Sequence, residues 1–94
     1  MKITGFIWLD DIVEKIETKH HVEQDEVREI FASKPQFRRV EKGHRPGEYV
    51  YSAAGQTDAG RYLVAFFVCK RNGRALLLSA RDMTRAERRK YERS

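Results

Sequence analysis

Among the side chains able to move protons or steady negative charge, five are candidates for one reaction. His20, Lys19 and Glu48 can exchange a proton, and Arg71 and Arg81 carry permanent positive charge. RNA cleavage without a metal needs little more. A base takes the 2′-hydroxyl proton, cations stabilise the charged phosphorane, and an acid protonates the departing 5′ oxygen. Tyr49, Tyr51 and Tyr62 add rings able to stack on bases, although tyrosine in a strand more often packs half-buried.

Other chemistries find less support. His20, His21, His44 and Cys69 are the metal-ligand candidates, but adjacent histidines point to different sides of a helix and no second ligand recurs at binding spacing. Ser79 has no nucleophile signature around it, and no glycine-rich phosphate loop or dinucleotide fingerprint is present. The reading is therefore of a protein without metal or cofactor.

The charge distribution is uneven. The chain has 94 residues and a formal net charge of +5. Residues 1–33 carry −4, residues 34–47 carry +4, residues 48–80 carry +2 and residues 81–94 carry +3. An acidic first third is joined to a basic remainder, which attracts phosphate backbones, acidic proteins or anionic lipid. The length suits one domain, and a hydrophobic share of 40% suits a folded core. The longest apolar run, "YLVAFFVC" at 62–69, is too short to span a bilayer, and nothing resembles a signal peptide. Cys69 lies in that run, alone, and is expected to pack rather than pair. A soluble cytoplasmic protein is expected.

Hydrophobic periodicity supplies the elements that must position these groups. "IWLDDIVEKIETKHH" puts Ile12, Val13 and Ile16 on one helical face, with Asp10 or Asp11 placed to cap it. "VEQDEVREIFASKP" repeats the pattern with Val27, Ile30 and Phe31, and Pro35 stops it. Then "QFRRVEK", "EYVYSAA", "RYLVAFFVCK" and "RALLLSAR", broken by "GHRPG", "GQTDAG" and "NG", read as a four-stranded antiparallel meander. Thr84 and Glu87 form a capping box that starts a last helix from about Arg85 to Glu92. The expected fold is α+β: two N-terminal helices, a four-stranded antiparallel sheet and a C-terminal helix.

A two-residue type I′ turn at Asn72-Gly73 sets a register in which Arg71 faces Arg74, Cys69 faces Leu76, Phe67 faces Leu78 and Val64 faces Arg81. Arg71 opposite Arg74 is a like-charge pair that calls for a screening anion. Arg81 ends its strand just ahead of a helix N-terminus, a natural place to meet a phosphate. Equally, Arg81 pairs with an acid such as Asp82 or Glu48 and braces the final helix.

Taken in order, "FIWLD", "KHHV", "DEVREIF", "GEYVYSAAG", a long apolar strand and "LLLSARDMTRAERRKYER" resemble the BrnT family of toxins. The most specific parts are "KHHV" and Ser79-Ala80-Arg81 followed by Glu87-Arg88 and Tyr91. The resemblance covers nearly the whole chain. It implies a RelE-like fold and a ribonuclease that blocks translation. It also implies neutralisation by a BrnA-type antitoxin that contacts DNA. On this basis the expected catalytic set is Lys19, His20, Glu48, Arg71 and Arg81, with RNA contacts from Arg45, Arg61, Arg74, Arg88 and Tyr91. Val50 stands where the family commonly has an arginine, and Leu9, Ile12 and Ile16 depart from its first-helix pattern. The alternative is a catalytically silent member of the fold that binds RNA, or represses an operon, together with a partner.

Overall fold

The computed structural model describes residues 1–42 and 48–94. A short strand β1 (Gly5–Ile7) leads into helices α1 (Asp10–His20) and α2 (Gln24–Ala32). Strands β2 (Gln36–Lys42), β3 (Tyr49–Gln56), β4 (Tyr62–Cys69) and β5 (Arg74–Asp82) follow, and α3 (Arg85–Arg93) closes the chain. The α+β class and the antiparallel β2–β5 meander are as the sequence implies. Among the described residues, however, the sheet has five strands in the order β1-β5-β4-β3-β2, and β1 runs parallel to β5. The expected four-stranded antiparallel sheet is thus a five-stranded mixed one. Three residues of "GFI" carry too little alternation to signal a strand. Among the described residues no helix is long and apolar enough to cross a membrane.

The core lies between one face of the sheet and the pair α1 and α2. Leu63, Ala65 and Phe67 of β4 meet Ala53, Ala75, Leu77 and Ala80 of the flanking strands and Ile16, Val22, Val27 and Ile30 from the helical layer, all fully buried. Small residues on the sheet let α2 come close. At Gly55 an added Cβ would stand 3.0 Å from both the Cβ and the carbonyl oxygen of Ile30. Gly55→Ala is therefore expected to cost about 1–3 kcal/mol by overpacking. Chemical denaturation measures this, and an unchanged midpoint would refute the close packing.

Local chemistry sets the ends. Leu9, not Asp10 or Asp11, is the N-cap of α1, without a side-chain cap bond; the two aspartates sit in the first turn, where the helix dipole favours them. Glu23 and Glu26 form a capping box on α2, and Thr84 and Glu87 form the expected one on α3.

The β4–β5 turn differs from the expected type I′. Gly73 donates to the Lys70 carbonyl and the Lys70 amide to the Arg74 carbonyl, while only Gly73 of the loop has positive φ, at 83°. This is a three-residue loop with a glycine bulge. Thr4 stabilises it: its amide donates to Gly73 O and its hydroxyl to Asn72 O, both at 2.9 Å. The register near the turn consequently slips by one, giving Cys69 opposite Ala75 and Phe67 opposite Leu77. A second bulge at Leu78 restores it, so Val64 does face Arg81 as expected. The Leu78 carbonyl accepts from Lys15 Nζ at 3.0 Å. Arg71 does not face Arg74; it lies exposed at the turn.

Candidate nucleic-acid interface

Alternation along the strands leaves a second sheet face, bearing Arg38, Ser52, Ala54, Tyr62, Val64, Phe66 and Arg81, away from the α1–α2 layer. Helix α3 lies over one end of this face. Gln36 Nε2 donates to the Tyr91 carbonyl at 3.0 Å, and the Tyr91 ring meets Tyr62 edge-on at 6.0 Å. Guanidinium groups cover the aromatics: Arg88 lies 4.0 Å from the centre of the Tyr62 ring and Arg81 lies 5.2 Å from that of Phe66. Arg81, Arg88 and Tyr91 are thereby gathered on one surface.

Arg81 is held firmly. Its two terminal nitrogens donate to both oxygens of Glu87, at 2.7 and 3.0 Å, and Nη1 also donates to the Asp82 carbonyl at 3.1 Å. The bracing acid is thus Glu87, and neither the Asp82 nor the Glu48 carboxylate. Glu87 Oε1 accepts the Thr84 amide as well, so one carboxylate fixes both the helix start and the arginine. The Arg81 bond, with help from Thr84, holds the Glu87 carboxyl down to about 2 although burial opposes this. The capping box itself was the available signal, since its glutamate must turn back toward the strand end. A depressed folded-state pKa stabilises the fold above the ordinary value of 4.5, and the gain disappears as pH falls toward 2. The carboxylate is more than a third exposed, so solvent screening reduces the effect to about 1 kcal/mol. Thermal melts between pH 6 and 2 are expected to show this loss, and Glu87→Gln is expected to flatten it.

Arg61 is a different kind of residue from the phosphate ligand suggested above. Nε and Nη2 donate to the two Asp82 oxygens at 2.7 and 3.1 Å. Nη1 donates to the His21 carbonyl and to Glu26, and Nη2 to the His20 carbonyl at 2.9 Å. All five N–H groups have partners within the protein, which leaves none for RNA. Hydrogen bonding by Arg61 lowers the pKa of Asp82.

The expected catalytic residues fall into two groups. Lys19 and His20 end α1 at the same end of the sheet as Arg81, connected to it through Arg61 and Asp82, but α1 lies on the opposite face. Glu48, Arg71 and Arg74 lie at the other end. Eight residues of β4 separate the groups, a span of roughly 25 Å. There Lys70 Nζ donates to Glu48 Oε2 at 2.7 Å, and Arg74 Nη2 donates to the Phe6 carbonyl at 3.1 Å, tying β5 to β1. Glu48 and Arg71 therefore do not join Arg81 in one site. Arg45 and His44 lie outside the described residues. Of the tyrosines, Tyr51 stacks on Phe67 at 5.9 Å and Tyr49 lies under Arg39 at 4.7 Å.

No protein-family model matches the chain, and no curated protein matches it at a significant level.

Proposed function

We propose that this protein is a BrnT-like toxin that acts on RNA, using the Arg81–Arg88–Tyr91 surface to hold the strand. The observation that carries the reading is the run of guanidinium–aromatic pairs on the second sheet face, Arg81 on Phe66 and Arg88 on Tyr62, with Tyr91 beside them. Cations interleaved with rings suit a single strand, whose phosphates need charge and whose bases need stacking partners. Arg81 supplies the charge for the phosphorane, and Lys19 or His20 at the same end of the sheet supplies proton transfer to an RNA crossing that end. Cleavage proceeds by attack of the 2′ oxygen on its own phosphate, with departure of the 5′ oxygen and a 2′,3′-cyclic phosphate as product. An acidic BrnA-like antitoxin, which would carry the DNA contacts, masks this basic surface. Expression of the chain by itself is expected to arrest bacterial growth, and co-expression with such an antitoxin to restore it.

A second reading, a silent binding module of the same fold, is favoured by a specific observation. Val50, where the family commonly has arginine, faces Val68 in a strand pair with no cation, and Arg61 has no donor left to replace one. Unimpaired growth together with measurable RNA binding would select this reading.

A further inference from the structure

We infer that the groove between α3 and the β2–β3 side of the sheet is a subsite for one unpaired nucleotide of RNA, its base inside and its phosphates at the rim. This rests on the RNA-directed reading above and adds where a base is held. The groove has a volume of about 480 Å³. Ser52, Ala54 and Val64 form its floor, Tyr91 a wall, and Arg38 and Lys90 stand on its strand and helix banks.

The make-up of the groove is what points to a ligand: an apolar floor with one hydroxyl, Ser52, and cations on both banks. Ser52 is only 8% exposed, yet its hydroxyl has no hydrogen bond among the described residues, and it lines the groove. Among the described residues no buried side-chain polar atom lacks a partner, so the accessibility that this hydroxyl keeps is toward the groove, where the polar edge of a ligand can take the place of water. The surroundings match a nucleobase: apolar methyls for its face, an aromatic ring beside it, and polar groups for its edge. Gln36 contributes to that edge, because its Nε2 is engaged by the Tyr91 carbonyl and its Oε1 is left as an acceptor. Glu87 also borders the groove, but Arg81 and the Thr84 amide hold its carboxylate. Arg38 and Lys90 are then the charges left for flanking phosphates. An acidic protein side chain would use those cations but has no need of the apolar floor.

The test titrates the protein with the four nucleoside monophosphates, observed by amide NMR shifts, and with a short mixed-sequence single-stranded RNA, observed by anisotropy. Ala54→Leu fills the groove, and Ser52→Val removes the hydroxyl at nearly constant shape. The monophosphates are expected to shift the amides of Ser52, Ala54 and Tyr91. RNA affinity is expected to fall at least about tenfold in Ala54→Leu, the scale of losing one stacked base. It is expected to fall roughly threefold in Ser52→Val, the scale of one hydrogen bond. Should Ala54→Leu fail to fold, Ser52→Val and the shift map decide. RNA bound equally by wild type and variants, with no shifts at the groove, overturns the subsite and leaves the RNA reading standing. No RNA binding by wild type overturns both. Groove shifts caused by an oligoglutamate peptide and by none of the nucleotides assign the groove to a protein partner instead.

Discussion

Replacing Arg61 with alanine is expected to lower stability by about 3 kcal/mol and the melting temperature by about 12–20 °C. The magnitude follows from what the guanidinium connects. It ties the start of β4 to Asp82 at the end of β5, to the last carbonyls of α1, and to Glu26 in the first turn of α2. Its removal takes these donors from Asp82 and from the end of α1, and leaves Glu26 with the Glu23 amide. Arg61 and Glu26 are about a quarter exposed, but the Asp82 side chain is 61% exposed and screened by solvent, which keeps the loss at the lower end for a broken buried pair. Lysine offers three donors on one nitrogen and cannot reproduce a five-donor fork, so Arg61→Lys is expected to recover less than half of the loss. At a temperature where Arg61→Ala is still folded, its RNA affinity is expected to be unchanged. An unchanged melting temperature would show that the clamp is incidental, and selective loss of RNA binding would return Arg61 to the interface.

The second large effect is on activity. Arg81→Ala is expected to reduce RNA cleavage by about 100-fold, the scale of removing one donor to a charged transition state. The fold should survive, because Thr84 and Glu87 still cap α3 without the arginine. A purely structural role for Arg81 predicts that breaking its ion pair from the other side is equally harmful. Glu87→Gln makes that distinction. It weakens the hold on Arg81 without moving it, so RNA affinity is expected to rise roughly threefold, the scale of one exposed charge interaction. Parallel losses in both variants would make Arg81 a brace for α3 and nothing more.

Several of these features were legible in the residues, and the reasons for the rest are physical. The heptad-like spacing of Val27, Ile30 and Phe31 and the Thr84–Glu87 box specify helices locally, and both helices form as read. The apolar runs of β4 and β5 identify the sheet centre for the same reason. The Asn72-Gly73 turn depended on something local sequence does not contain: Thr4, about seventy residues away, donates twice to the loop and selects the longer turn. β1 was missed because three residues gain strand character only from the partner they join. The gathering of Arg81, Arg88 and Tyr91 follows from a helical spacing placed over a strand end, which the order of motifs contains. The separation of Glu48 and Arg71 from Arg81 does not, because residues at opposite ends of one strand look equally near in a list. Arg61 carries no signal in its own neighbourhood, since its carboxylate partners Glu26 and Asp82 lie on other elements.

The most direct measurement incubates the purified protein with end-labelled RNA in EDTA and examines the new termini. Fragments ending in 2′,3′-cyclic phosphate, formed by wild type and about 100-fold more slowly by Arg81→Ala, are the expected result. RNA that stays intact and unbound over the same range of protein concentrations would contradict it.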